Sequence, residues 1–246
     1  MHIDKYTKLK NGQYKLSFDN GTNALVHEDL ILKYNLLINK ELDEELLETI
    51  LKENQSYIAY GLAIGYLKTK MRSQKEIKEY LQKKDITEDL INNAIAILKK
   101  QGYINDEIYC KCYINDRINL SNDGPYKIKE NLSKLGIVEE IINHNILIFD
   151  SSLEQERIKK LINKYLKNNH NKSGFILKRK MIDNLTKLGY TKSIVISEVE
   201  KVKIDDKNIM EKEYKKIHDK LSKKYSGKEL EYKVKQKMYQ KGFFIE

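Results

Sequence analysis

The sequence predicts a mainly α-helical protein: tandem three-helix repeats in an elongated array, preceded by a small antiparallel β-sheet module. Three observations carry this reading. First, the apolar anchors Ile77, Leu81 and Ile86 return in register as Ile128, Leu132 and Ile137, then as Met181, Leu185 and Tyr190, then as Val234, Met238 and Phe243. A period of roughly fifty residues is the length expected of a helical repeat. Second, charged residues make up 33% of the 246-residue chain, hydrophobic residues 40%, and proline occurs once. That composition suits helices with thin cores better than a sandwich or barrel. Third, short alternating segments at the amino terminus are separated by Asn11-Gly12 and by Asp19-Asn20-Gly21.

The amino-terminal segments are read as strands over Ile3 to Leu9, Tyr14 to Phe18 and Ala24 to His27. Asparagine-glycine supplies the positive backbone angles of a two-residue hairpin turn, so both connections are expected to be tight hairpins. A short helix over Glu28 to Tyr34 follows, and a longer one begins at Asp43, with Glu44 and Glu45 favourable in its first turn. Three short strands are hardly stable alone, so the sheet is expected to pack on that helix. Residues 1–50 thus form a hairpin and short-helix module.

Residues 51–105 form the first three-helix unit, opening with a helix over Tyr57 to Leu67 in which Gly61 and Gly65 permit close approach by a neighbour. The surrounding apolar stretch is too short for those glycines to mark a membrane-spanning dimer. Units two and three cover residues 106–154 and 155–205, and residues 206–246 form a partial fourth that stops before a third helix. Within a unit, anchors such as Ile128, Leu132 and Leu135 fall at i, i+4 and i+7, one stripe that must be buried. Gly136, Gly189 and Gly242 stand where a helix ends in a left-handed residue, and Asp85 takes that place in the first copy. A two-faced third helix follows: Leu90, Ile91, Ile95 and Leu98 map onto Ile141, Ile142, Ile146 and Phe149, and onto Ile194, Val195, Val199 and Val202. Ser73 with Glu76 and Ser226 with Glu229 fit the capping box, Thr87 precedes two acids, and Gly124-Pro125 suits a first helical turn. The stripe Ile158, Leu161, Ile162, Tyr165 marks a helix, and the polar link from Asn168 to Gly174 is expected to be the most mobile internal loop.

Composition also narrows function. A net charge of +10 and a pI near 9.2 point to an anionic partner, nucleic acid or a nucleoprotein surface. Cys110 and Cys112 lie two apart on a helix and point apart, so they are read as free thiols of which at least one is buried. The histidines His2, His27, His144, His170 and His218 are scattered singly, which gives no metal-ligand spacing. Neither a glycine-rich phosphate loop nor a nucleophile elbow is present, so no cofactor, no metal and no enzymatic activity are expected. The start Met1-His2-Ile3-Asp4-Lys5 lacks a secretory core, and a cytoplasmic monomer without a membrane span is expected.

The residues Arg72-Ser73-Gln74-Lys75-Glu76-Ile77 with Tyr80-Leu81, Gly102-Tyr103-Ile104-Asn105-Asp106-Glu107, Tyr109 through Asp116-Arg117-Ile118-Asn119, and Gly124-Pro125 leading to Gly136-Ile137 resemble the RecX family, regulators of the bacterial RecA recombinase. The resemblance covers nearly the whole chain and thins after about Glu154; Cys112 and Asp85 stand where the family prefers alanine and glycine. It implies a non-enzymatic binder that enters the groove of the RecA filament on single- or double-stranded DNA and damps filament growth, ATP turnover and strand exchange. The alternative from another class is an autonomous nucleic-acid-binding protein whose lysines track phosphates and whose tyrosines stack on bases. Tyr66, Tyr80, Tyr103, Tyr109, Tyr113 and Tyr126 sit beside apolar anchors, however, and read first as partly buried packing.

The repeat itself suggests a binding face. One residue before each anchor stand Lys127, Lys180 and Lys233, and six after stand Lys134 and Lys187. Positions seven apart share a helical face, about a hundred degrees from the apolar stripe. Unit one has Glu76 at the first position but keeps Lys83 at the second. Stacked units would align these lysines into a basic strip, with Lys178 and Arg179 adding to it in unit three; Arg72, Lys75 and Arg117 complete the candidates for contact with RecA or DNA. An ordinary solvated rim is the competing reading.

Overall fold

The structure, a computed structural model, describes residues 1–10, 12–169 and 172–244. The chain divides into two compact units, Met1–Tyr109 with Leu135–Ile137, and Cys110–Lys134 with Val138–Glu246.

The first unit opens with strands β1 (Ile3–Lys8), β2 (Gln13–Phe18) and β3 (Asn23–His27), an antiparallel sheet in the order β1-β2-β3. Alternation puts Ile3, Leu16, Phe18, Ala24 and Val26 on one buried face, where they meet Leu30 and Ile31 of helix α1 (Glu28–Lys33) and Ile50 of helix α2 (Glu44–Leu67). The β2–β3 connection is a three-residue loop, not the expected two-residue turn. Phe18 N–H donates to Thr22 O at 3.0 Å and Gly21 N–H to Phe18 O at 3.0 Å. Of that loop only Gly21 has positive φ, +80°, whereas a two-residue turn of the asparagine-glycine type needs two such residues. Asn11, half of the other expected turn, lies outside the described residues; its neighbour Gly12 is left-handed at +72°.

The helix expected from Asp43 and the one expected over Tyr57 to Leu67 are a single helix, α2, which therefore crosses residue 50 unbroken. No glycine or proline separates the two stripes, and the polar run Lys52–Ser56 propagates the helix. Asp43 caps it by accepting from Leu46 N–H at 2.7 Å. Asn54 on α2 is buried and serves as a clip for β3, accepting from His27 N–H at 2.9 Å and donating to Leu25 O at 2.7 Å. Gly61 and Gly65 do not mark a close approach, since nothing lies within 4 Å of where a Cβ would stand. The contact residues are Ala59 and Ala63, one register over, which pack with Ile77, Leu81, Ile91, Ile95 and Leu98 of α3 (Gln74–Gln82) and α4 (Glu88–Lys100).

Ser73 makes the expected capping box with Glu76 at the start of α3. Its hydroxyl also donates to Leu135 O at 2.7 Å. The matching box at Ser226 does not form: Gly227 is left-handed at +55°, which turns the first helical amides away from the serine oxygen. Thr87 is an N-cap residue without a side-chain cap bond.

The second unit continues with α5 (Asp106–Leu120, its first turn in unit one), α6 (Pro125–Lys134), α7 (Glu139–Asn145) extended by a 3-10 turn over Ile146–Ile148, α8 (Ser151–Lys167), α9 (Gly174–Lys187), α10 (Lys192–Glu200), α11 (Lys207–Leu221) and α12 (Gly227–Gln240). The anchors Ile77, Leu81, Ile128, Leu132, Ile137, Met181, Leu185, Tyr190, Val234, Met238 and Phe243 are all buried, while Ile86 is half-buried. Asp85, Gly136, Gly189 and Gly242 are left-handed at +58°, +82°, +86° and +77°, as their positions in the repeat require. His170 and Asn171, within the link expected to be mobile, lie outside the described residues.

The glycine turns also join the copies. Gly189, after α9, sits against the backbone of Lys127 at the start of α6, where a Cβ would come within 2.4 Å of the Lys127 nitrogen. Gly124 N–H donates to Leu188 O at 2.7 Å and Tyr126 N–H to Gly189 O at 3.0 Å. Gly242, after α12, packs on the side chains of Ser173 and Ile176 at the start of α9. In unit one Gly136 lies on the Lys75 side chain. An aspartate supports two of these helix starts: Gln74 N–H donates to Asp106 at 2.9 Å, and Gly174 N–H donates to Asp206 at 2.6 Å. Pro125 at the third start has no N–H to satisfy.

Candidate functional site

Helices α6, α9 and α12 each bury an apolar stripe and turn lysines outward. Lys134, Arg179, Lys180 and Lys187 are exposed, and Lys127 and Lys233 are half-buried along the edge of the stripe. Because Gly189 touches Lys127, the carboxyl end of α9, carrying Lys187 two residues earlier, lies beside the amino end of α6. Gly242 brings the end of α12 to the start of α9 through contact with the Ser173 and Ile176 side chains. The unit-two lysines thus sit on three helices joined end to start.

The charge in this row is partly neutralised. Glu130 stands between its two lysines, bonded to Lys134 at 2.6 Å and to Lys127 at 3.2 Å. Those two hydrogen bonds, Lys134 first, hold the Glu130 carboxyl below the usual carboxylate range. The same place, two after the anchor, is Glu79 in α3, where Lys75 approaches at 3.8 Å, and Asp183 in α9; in α12 it is Gln236. The intervening acid was readable from its i+3 and i−4 spacing to the lysines. It reduces the net positive charge in every copy but the last.

The other candidates divide by environment. Arg72 is turned into the protein, its side chain only 14% exposed. Its guanidinium lies 3.9 Å over the Tyr66 ring, which stacks on Tyr80 at 4.1 Å, and it reaches Glu76 at 3.3 Å and Thr69 at 3.2 Å. Its placement organises the start of α3. Arg117 lies 5.1 Å over Tyr113 and 3.9 Å from Asp123, and Lys178 donates to Glu200 O at 3.2 Å. Lys83 at the end of α3 is exposed.

Sequence reasoning passed over Arg157, which reaches Ile118 O, Ser121 O at 2.7 Å and the Tyr190 hydroxyl at 3.3 Å, and so ties α8 to the end of α5. Burial pushes the Tyr190 phenol up, and Arg157 offsets part of that. It also passed over buried Glu154, which accepts from Thr191 N–H at 2.6 Å and so caps α10 from a neighbouring helix. Nothing local announces either residue. Most of the six tyrosines pack as expected, Tyr109 buried and Tyr66, Tyr80 and Tyr113 half-buried, while Tyr103 and Tyr126 are exposed. Cys110 is buried and Cys112 exposed. Among the described residues, no three His, Cys, Asp or Glu side chains gather to hold a metal, and no helix is long and apolar enough to cross a membrane.

Fold and site together define a lysine-rich tandem-helix protein with a small amino-terminal sheet. Residues 59–98 match the family profile described as RecX, first three-helix domain. The chain is 34% identical over 248 aligned residues to the "Regulatory protein RecX" of Streptococcus pneumoniae (strain Hungary19A-6), covering 97% of this chain and 95% of that one. It is 32% identical over 227 residues to the "Regulatory protein RecX" of Bacillus cytotoxicus, covering 90% and 83% of the two chains. A solved structure, "Crystal structure of regulatory protein RecX", superposes with a TM-score of 0.67 at 28% identity over 80% of this chain and 98% of that one. The chain belongs to the RecX family.

Proposed function

We propose that this protein binds the RecA filament on DNA and damps its growth, ATP turnover and strand exchange, without chemistry of its own. Full-length similarity to proteins named as regulators carries the reading. The net charge of +10 and the lysines of α6, α9 and α12 support an anionic nucleoprotein partner. The protein acts as a cytoplasmic monomer, with Arg179, Lys180, Lys187, Lys134 and Lys127 as the principal contacts and Lys233, Lys75 and Lys83 beside them. Arg72, stacked on Tyr66 and paired with Glu76, serves packing more than contact.

Adding the protein to RecA on single-stranded DNA tests this. ATP turnover and strand exchange should fall as it is titrated toward the RecA concentration, and neither chelator nor added metal should alter the effect. Unchanged turnover and exchange at saturating protein would refute the proposal. The second reading, an autonomous nucleic-acid binder, is favoured by the exposed Tyr103 and Tyr126. It predicts that DNA binding is as tight without RecA as with it.

A further inference from the structure

On α12 the anchors Val234 and Met238 face inward. An exposed flank about a hundred degrees round the helix from them carries Lys228, Tyr232, Lys235 and Tyr239 at i, i+4, i+7 and i+11, a single row in which lysine and tyrosine alternate. Tyr232 is 64% exposed and Tyr239 67%, and both lysines are exposed. Tyr239 packs edge-to-face on Phe244 at 5.3 Å, and Phe244 on Phe175 of α9 at 5.2 Å, yet Phe244 and Phe175 remain 56% and 54% exposed. Four large aromatic side chains on one exposed patch mark a contact surface, because a tyrosine or phenylalanine left in water gains nothing for the fold.

The charge selects the partner. Residues 207–244 carry twelve lysines against five carboxylates, with Glu229 and Glu231 at the flanks of the row. Glu231 stands three after Lys228 and four before Lys235, the spacing that Glu130 has to its lysines in α6, but whereas Glu130 bonds both of its lysines, Glu231 makes no salt bridge to Lys228 or Lys235 among the described residues. An interfacial membrane helix would segregate its aromatic residues from its lysines, whereas here they alternate along one line. A duplex keeps its base faces stacked and out of reach of a ring, while a single strand offers both phosphates and free base faces.

We propose that this face of α12, with Phe244 and Phe175 beside it, binds single-stranded nucleic acid, Tyr232 and Tyr239 stacking on bases while Lys228 and Lys235 meet phosphates. The site deepens the nucleic-acid part of the function proposed above and rests on that reading for its setting. The test uses the full-length protein without RecA, so its failure leaves filament regulation standing, and failure of filament regulation leaves this binding intact.

Fluorescence anisotropy is measured with three fluorescein-labelled 20-mers: oligothymidylate, an abasic strand of equal charge, and a duplex. Oligothymidylate should bind at least about tenfold tighter than the abasic strand and tighter than the duplex, a comparison that needs no variant. The double substitution Tyr232→Leu and Tyr239→Leu should lower affinity for oligothymidylate by about tenfold or more and leave the abasic strand unchanged. Lys228→Gln with Lys235→Gln should weaken both single strands and flatten the salt dependence. Equal affinity for oligothymidylate and the abasic strand would overturn the proposal. So would a tyrosine variant that binds like the parent, or equally tight binding to polyglutamate or to phosphatidylglycerol vesicles.

Discussion

Replacing Gly189 by alanine should destabilise the second unit far more than the same change at Gly227. Both glycines are left-handed, at +86° and +55°, so each alanine carries a backbone penalty of about 1–2 kcal/mol. They differ in what the new methyl meets. At Gly227 nothing lies within 4 Å, whereas at Gly189 the methyl would stand 2.4 Å from the Lys127 nitrogen and 2.6 Å from its Cβ. Backbone cannot rotate aside as a side chain can, so the start of α6 must separate from the end of α9. That separation strains or breaks the bonds from Gly124 to Leu188 at 2.7 Å and from Tyr126 to Gly189 at 3.0 Å, each contributing about 1 kcal/mol net. With the lost packing, Gly189→Ala should cost about 3–5 kcal/mol and Gly227→Ala about 1–2. Urea denaturation followed by circular dichroism reads the difference. If the two variants lose equal stability, the junction between α6 and α9 does not hold the copies together as described.

Other expectations follow from the same contacts. Leu132→Ala and Leu185→Ala should each cost about 2–5 kcal/mol in the same assay, since both side chains are buried anchors. Ser73→Ala removes the capping bond to Glu76 and leaves Leu135 O without its donor, a loss of about 1–3 kcal/mol that Ser226→Ala should not reproduce, because Ser226 makes no side-chain cap bond. Glu130→Gln should strengthen binding to single-stranded DNA and steepen the fall of log affinity with log salt by about 1.4 if both released lysines reach phosphates. Acid should act in the same direction on the parent: the Glu130 pKa is depressed in the folded protein, so Lys127 and Lys134 stay paired at neutral pH and are released only as pH falls through that lowered range. A DNA affinity of Glu130→Gln equal to the parent's at every salt concentration would place these two lysines away from the partner.

The anchors were legible because burial with a helical period leaves a direct trace: Ile128, Leu132, Met181, Leu185, Val234 and Met238 repeat in the sequence and are buried in the structure. The left-handed turns were legible for a similar reason, since glycine recurs at Gly136, Gly189 and Gly242 where chain reversal demands it. Features set by distant partners were not. The contact of Gly189 with Lys127 spans over sixty residues of chain, and Ser226 looks like Ser73 in sequence while Gly227 re-aims the helix beneath it. The continuity of α2 was hidden by a polar run that resembled a break because its apolar stripes change partners, from the sheet at Ile50 to α3 and α4 at Ala59 and Ala63. On the surface, the lysine rows were visible, but their meaning changes with the acid between them. The alternation of Lys228, Tyr232, Lys235 and Tyr239 was open to inspection on the flank of α12 beside the anchors.

The central claim is that filament regulation runs through the lysines of α6 and α9. Its most direct test is RecA ATP turnover on single-stranded DNA, titrated with the parent and with the quadruple variant Lys127→Glu, Lys134→Glu, Lys180→Glu, Lys187→Glu at several salt concentrations. The parent should suppress turnover, more strongly at low salt. The variant, with its circular dichroism and melting temperature nearly unchanged, should suppress it weakly and with a flatter salt dependence. A quadruple variant that suppresses turnover as well as the parent at every salt concentration would contradict the claim and leave these lysines as a solvated face.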